Sequence, residues 1–155
     1  MKTAIFSDTH GTTSLMCEAV RRCRPDVIIH LGDYERDTAV LRREFPDIPL
    51  YNVCGNCDIA VTAPVTDTLW LDGVKVFLTH GHMQNVKWGI DSLIYAAMEQ
   101  GCRVALYGHT HVDDICEVAG VTAINPGTAG HGRRLTWALL TTFENGTFTA
   151  EIKEL

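Results

Sequence analysis

An α/β fold of two packed sheets with helices outside them is the class this sequence predicts, and three observations carry the prediction. Over its first half the chain repeats one grammar: a short β-branched run, a loop carrying Gly and Asp or Asn, then a helical stretch, which is how consecutive βαβ units read. After Pro64 the pattern changes to strand-like runs joined by Gly-containing turn dipeptides, which read as hairpins. No linker, low-complexity tract or internal repeat separates the halves, so residues 1–155 read as one domain. A chain of this length can bury roughly 70% of its unfolded surface around a single core.

Taken in order, residues 3–7 form the first strand, 13–24 a helix and 27–31 the second strand. The run 27–31 is apolar without alternation, as expected where both faces of a parallel strand are covered. A helix over 37–45 and a strand over 50–54 come next; Thr13 and Asp37 stand where N-caps belong, and Pro25, Pro46 and Pro49 fall between elements. Residues 66–71 and 75–79 flank Asp72-Gly73, a pair favoured in tight hairpin turns. The helix over 90–100 is closed by Gly101 and puts Ile90, Leu93, Ile94, Ala97 and Met98 on one face. A strand over 103–107 precedes a run of β-structure at 115–118, 121–124, 135–143 and 147–152, with hairpin turns at Ala119-Gly120 and Asn145-Gly146.

Composition narrows the function classes. Hydrophobic residues make up 46% and charged residues 21%, the balance of a globular chain and not of a disordered or membrane one. A net charge of -6 argues against the clustered Lys and Arg that a nucleic-acid footprint or an anionic membrane surface needs. A small phosphorylated substrate remains compatible, because bound divalent cations reverse the field inside one pocket. The N-terminal apolar run is only three residues long and gives way at once to Asp8 and His10, so no signal peptide is expected. Nor does any stretch approach the roughly 18 apolar residues of a membrane span. A cytoplasmic protein, monomeric or a small homo-oligomer, with its six cysteines reduced, is the expectation.

Ligands of open α/β sheets bind at the carboxyl ends of the strands. Five strand ends here carry metal-ligand residue types: Asp8-Thr9-His10-Gly11, Gly32-Asp33, Gly55-Asn56-Cys57-Asp58, His80-Gly81-His82 and Gly108-His109-Thr110-His111. Asp8 and Asp33 are 25 residues apart and Asp33 and Asn56 are 23, each about one βα unit, so adjacent strands deliver them side by side. Asp8 with His10, and His109 with His111, are two apart, and in extended chain such pairs point to one side. Carboxylates, an amide oxygen and imidazoles without thiolates suit Mn²⁺, Ni²⁺, Fe²⁺, Co²⁺ or a catalytic Zn²⁺ better than a closed structural zinc site. Asp8, His10, Asp33, Asn56, His80, His109 and His111 are too many ligands for one ion that keeps a position open for water, and they suit two, with Mn²⁺ the first expectation. Two ions roughly 3.5 to 4 Å apart can share a hydroxide and stabilise both the attacking and the leaving oxygen at phosphorus, so phosphoester hydrolysis is the natural reaction.

On these segments, and on Asn125-Pro126-Gly127-Thr128, the chain resembles the calcineurin-like metallophosphoesterases, and within them the small phosphodiesterases of the YfcE type. The resemblance implies a four-layer αββα sandwich of two mixed sheets. It also implies that Asp8, His10 and His111 hold one ion, that Asn56, His80 and His109 hold the other, and that Asp33 bridges them. A diester substrate is implied in the same way. Cys57 stands where many members of the wider superfamily carry a histidine that serves the leaving oxygen, although the small subfamily commonly has this cysteine. A thiol near pKa 8.5 is a weaker proton donor than an imidazolium, which makes His82 or His131 alternative donors. The rival from another class is a Vps29-like scaffold that keeps the fold and the metals but has little activity.

Several residues have blander readings. His30, inside a strand, reads as a buried, hydrogen-bonded structural residue. Asp58 is either a loop-capping carboxylate or a support for the metal site, and His82 and His131 either touch phosphate at the rim or are simply exposed. Arg133 and Arg134 read as a solvated pair. Cys54-Gly55-Asn56-Cys57 is a CxxC, but residues 59–64 make a poor helix start, so it reads as coincidence and not as a redox dithiol.

Overall fold

The computed structural model describes residues 1–59 and 62–155. The βα grammar of the first half folds into β1 (Lys2–Phe6), α1 (Ser14–Cys23), β2 (Val27–His30), α2 (Thr38–Glu44) and β3 (Leu50–Asn52). The second half supplies β4 (Thr66–Leu71), β5 (Val74–Thr79), α3 (Asp91–Glu99), β6 (Val104–Leu106), β7 (Asp114–Val118), β8 (Val121–Asn125), β9 (Thr136–Thr142) and β10 (Phe148–Glu154). Two short 3-10 turns, Glu35–Asp37 and His82–Gln84, lead out of strand ends and had no signature in the sequence.

Each sheet has five strands around a parallel core. The first runs β10-β9-β1-β2-β3, with β1, β2 and β3 parallel; the second runs β4-β5-β6-β8-β7, with β5, β6 and β8 parallel. Alternation decides what each strand buries. Ile5, Ile29, Val76, Leu78, Leu106 and Ile124 point into the space between the sheets. Ala4, Phe6 and Ile28 face the other way, onto Met16 and Val20 of α1 and Leu41 of α2. Phe77 and Ala105 face Leu93, Ile94 and Ala97 of α3. The layers are therefore helices, sheet, sheet, helix, the four-layer sandwich the resemblance implies. Both sets of parallel strands are covered on both faces, which is why 27–31 reads as an unbroken apolar run.

Four expectations need adjustment. Met98 is 47% exposed, because at 100° per residue it lies at the margin of the stripe centred on Leu93 and Ala97. Thr13 and Asp37 do occupy N-cap positions, but neither side chain caps its helix. Asn145-Gly146 ends a three-residue loop, in which Gly146 N–H donates to Phe143 O and Gly146 takes φ 75°, whereas Asp72-Gly73 and Ala119-Gly120 are two-residue turns with both residues at positive φ. The strand expected over 50–54 pairs in the sheet only as Leu50–Asn52. The non-helical reading of 59–64 includes residues 60 and 61, which lie outside the described residues. All six cysteines are free thiols.

Candidate metal centre

Both sets of parallel strands end on the same rim, and their loops turn sharply there. Asp8 (φ 55°), His10 (45°), Asp33 (55°), Tyr34 (68°), His109 (68°) and His111 (60°) all adopt left-handed backbone conformations that non-glycine residues seldom take. Each costs on the order of 1–3 kcal/mol, and such strain persists where the surrounding structure over-determines it.

The surroundings do so through buried hydrogen bonds. Thr128 Oγ donates to Asp8 O and accepts from His131 N–H, Ala129 N–H donates to Ser7 O, and Asn125 Nδ2 donates to Gly108 O and Thr110 Oγ1. The Asn125–Thr128 turn thus ties the end of β8 to the loops carrying Asp8 and His109. Asp58 accepts from three backbone N–H groups, those of Asp33, Glu35 and Gly55, and so clamps the β2 loop to the β3 loop. Of its two sequence readings, the hydrogen bonds show the loop clamp, and one of the loops it clamps carries Asp33. Asp37 accepts from Thr9 Oγ1 and Gly11 N–H, locking the β1 loop to the β2 loop instead of capping α2. Glycine is required where these loops touch: a Cβ on Gly55 would overlap Asp33 Oδ1, and one on Gly108 would overlap Ser7 Oγ and come within 2.8 Å of Asp8 Oδ2.

Ligand atoms of Asp8, His10, Asp33 and His111 all lie within 4.8 Å of one another. Of Asp8, Oδ2 accepts from Ser7 Oγ and His109 N–H, while Oδ1 lies 3.0 Å from His111 Nε2 without hydrogen-bond alignment and has no partner. Asp33 Oδ1 accepts from Cys57 N–H and sits 3.4 Å from His80 Nε2. His80, fully buried, donates from Nδ1 to Leu31 O, which turns Nε2 toward Asp33; a backbone carbonyl commonly orients a metal-binding imidazole in this way. The His80 ring lies 5.0 Å from that of His109 and 5.5 Å from that of His82. Asn56 is exposed at the rim, and the next amide, that of Cys57, is the one bound to Asp33.

Buried polar atoms without partners are few in native proteins and call for a reason. Here Asp8 Oδ1, His10 Nε2, His80 Nε2 and His82 Nδ1 have none. The set fits a metal: oxygen and imidazole donors, Asp8 and His80 held through their other atoms, with the coordinating atoms left free.

The electrostatics agree. Burial alone would raise Asp8, but His111, His80 and Ser7 outweigh it and hold the carboxyl below its usual range. Asp33 is likewise held well below that range by His80 and the Cys57 amide, against burial. Burial lowers His80, yet Asp33 and Asp8 outweigh it and raise the imidazolium; Asp8 raises His111. Burial, His80 and Lys87 push His109 down to about 4. Metal ligation needs neutral imidazoles, so loading metal-free protein with Mn²⁺ near neutral pH is expected to release protons from His80 and His111, and apparent affinity falls as pH falls. Calorimetric titration in two buffers of different ionisation enthalpy reads this, and identical heats would contradict it.

The other sequence candidates divide. His82 lies at the rim, and its pKa is lowered by burial and His80. His131 is exposed, yet its ring is 5.9 Å from that of His10. Burial, with the carboxylates of Asp33, Asp58 and Asp8, pushes the Cys57 thiol up to about 11, so it is a poorer proton donor than a free thiol. Arg134 is engaged by Asp113 and Glu154. His30 is buried: Gly32 N–H donates to Nδ1, so Nε2 carries the proton and faces Thr9 Oγ1. Sequence reasoning missed Tyr34, whose ring packs edge-on against His10 at 5.1 Å; nothing in an isolated Asp-Tyr pair announces it.

A family profile described as "Calcineurin-like phosphoesterase superfamily domain" matches residues 1–145. "Probable metallophosphoesterase YsnB" of Bacillus subtilis is 32% identical over 131 residues, covering 83% of this chain and 75% of its own. "Phosphodiesterase MJ0936" of Methanocaldococcus jannaschii is 30% identical over 145 residues, covering 82% and 83% respectively. Among solved structures, wild-type Vps29 complexed with Zn²⁺ from Entamoeba histolytica superposes with a TM-score of 0.79 at 19% identity, covering 99% of each chain, a likeness of fold.

Proposed function

The chain belongs to the calcineurin-like phosphoesterase superfamily, and from that premise we propose that it is a metal-dependent phosphodiesterase with a dinuclear site. One observation carries the reading: ligand atoms converge on one rim with Asp8 Oδ1, His10 Nε2 and His80 Nε2 unpartnered.

In this reading Asp8, His10 and His111 would hold one divalent cation and Asn56, His80 and His109 the other, with Asp33 a ligand available to both. When bound, two such ions supply an acidified water as nucleophile and offset the charge that develops on the attacking and leaving oxygens. The chain's own residues do the rest. Leu31 O keeps His80 in one tautomer, and the Cys57 amide keeps Asp33 from rotating. The clamps Asp58 and Asp37 keep the loops in register, which matters because misplacing catalytic groups by about 1 Å can cost about 10²-fold in rate. His131, whose ring neighbours that of His10, and His82, beside His80, are the imidazoles proposed to serve a leaving oxygen; Cys57, held protonated, is the weaker candidate. Diester preference is supported by the phosphodiesterase among the relatives.

The test is hydrolysis of bis(p-nitrophenyl) phosphate and p-nitrophenyl phosphate by metal-stripped protein, with and without Mn²⁺ or Ni²⁺. Turnover is expected only with metal, with the higher kcat/KM on the diester. No turnover with any metal would sink the enzyme reading in favour of a Vps29-like scaffold.

A further inference from the structure

Beside the metal centre lies a cleft of about 230 Å³ lined by Tyr34, Arg36, Cys57, Asp58 and Ile59. It is smaller than the roughly 300 Å³ at which pockets begin to enclose a whole small molecule, so it suits one part of a substrate. One wall belongs to the centre itself, because the backbone N–H of Cys57 donates to Asp33 Oδ1. The opposite wall is Arg36, whose guanidinium lies over the Tyr34 ring, 4.7 Å from its centroid. The Tyr34 ring in turn meets His10 edge-on at 5.1 Å, so Arg36 stands one ring away from a metal-ligand candidate.

The acidic residues around Arg36 are all engaged elsewhere. Glu35 accepts from Asn52 Nδ2, Asp37 from Thr9 and Gly11, and Asp58 from three backbone N–H groups. Among the described residues no carboxylate pairs with Arg36; Arg24, Arg42, Arg103 and Arg133 also lack one, but Arg36 is the one that lines this cleft and stacks on the ring packed against His10. A guanidinium stacked on an aromatic ring is already oriented, loses little freedom on binding, and presents its fork of donors to an oxyanion. In a chain of net charge -6, an unpaired and oriented cation beside the reaction centre is a selective feature.

We propose that this cleft takes the part of a phosphodiester substrate that bears a second anionic group, and that Arg36, held by Tyr34, is the specificity-determining residue that binds it. The proposal rests on the phosphodiesterase reading above. With the scissile phosphate at the residues that would hold the metals, a second phosphate on another hydroxyl of the same alcohol moiety would face Arg36 across Cys57, where the guanidinium can bind it with a charge-assisted, bidentate pair of hydrogen bonds.

A matched pair of esters tests this: thymidine 5′-(p-nitrophenyl phosphate) and the same compound phosphorylated at the 3′ oxygen. The Mn²⁺-loaded wild type should prefer the 3′-phosphorylated ester by roughly tenfold in kcat/KM. In Arg36→Gln the ratio should fall to about one, and in Arg36→Lys it should lie between, since the charge stays while the fork is lost. The ratio is internally normalised, so a general loss of activity does not mimic the result. No preference in the wild type, or the same preference in Arg36→Gln, overturns the proposal. If neither ester turns over, the hydrolase reading fails separately, and calorimetric binding of thymidine 3′,5′-bisphosphate against thymidine 5′-monophosphate still decides. Tighter binding of the bisphosphate that is lost in Arg36→Gln upholds the anion site, and equal binding overturns it.

Discussion

Asp33→Asn protein, reloaded with Mn²⁺, is expected to hydrolyse bis(p-nitrophenyl) phosphate at least about 10³-fold more slowly than wild type while remaining folded. In the proposed dinuclear reading Asp33 is the carboxylate shared by the two metal positions. It belongs to the cluster with Asp8, His10 and His111, and its Oδ1 is 3.4 Å from His80 Nε2. The amide of asparagine keeps an oxygen and removes the charge that a bridge between two cations needs. Asparagine also tolerates the left-handed backbone at φ 55° better than alanine, which separates loss of the bridge from loss of the loop. Metal content, kcat/KM and a thermal melt would be read on the same preparation. Retention of more than about a tenth of wild-type kcat/KM would remove Asp33 from the reaction. A melt shifted far below wild type would mean that the residue chiefly holds the loop.

Much of the candidate site is legible because metal-ligand residue types sit at predictable places. Parallel strands reveal themselves as short apolar runs, and the residues just past each run face the rim, so Asp8, Asp33, His80 and His109 could be picked out in order. The second sheet's order, β4-β5-β6-β8-β7, was not legible, because no local signal says that β8 crosses to lie beside β6 before β7 covers its edge. The clamps were hidden for the same reason. Asp37 stands where an N-cap belongs, but its side chain binds Thr9 and Gly11, 28 and 26 residues away in sequence. Asp58 reads from sequence as either a loop cap or a support for the site, and two of its three donors, Asp33 and Glu35, lie in the β2 loop, a partner choice no local pattern announces. Long-range hydrogen bonds leave no periodicity to read. The 3-10 turns at Glu35–Asp37 and His82–Gln84 come after residues with positive φ, Tyr34 and Gly81; glycine adopts that conformation by its own freedom, whereas the tyrosine is held in it against its propensity.

Lowering the pH should expose a second consequence of burial, this time in stability. His30 is fully buried, its Nδ1 accepts from Gly32 N–H, and burial pushes its pKa down to about 4 from an ordinary 6.5, against the pull of Asp8, Asp37 and Asp58. Between those two values the unfolded chain binds a proton at His30 that the folded chain does not, so folding stability rises with pH across that window. The contribution is fully present above the unfolded pKa and is lost as pH falls from about 6.5 through about 4. It amounts to about 3 kcal/mol for the metal-free protein. His30→Gln removes the titrating group, so the unfolding free energy of wild type relative to the variant, read by urea denaturation, should fall by about 3 kcal/mol as pH drops, closing the pH 7 gap or reversing its sign. At pH 7 the variant should be less stable by about 1–3 kcal/mol, because Gly32 N–H loses its acceptor. Parallel stability curves over the whole range would show that His30 is solvated or charged in the folded chain, and would break the chain of contacts from His30 through Thr9 to Asp37 on which the β1 loop depends.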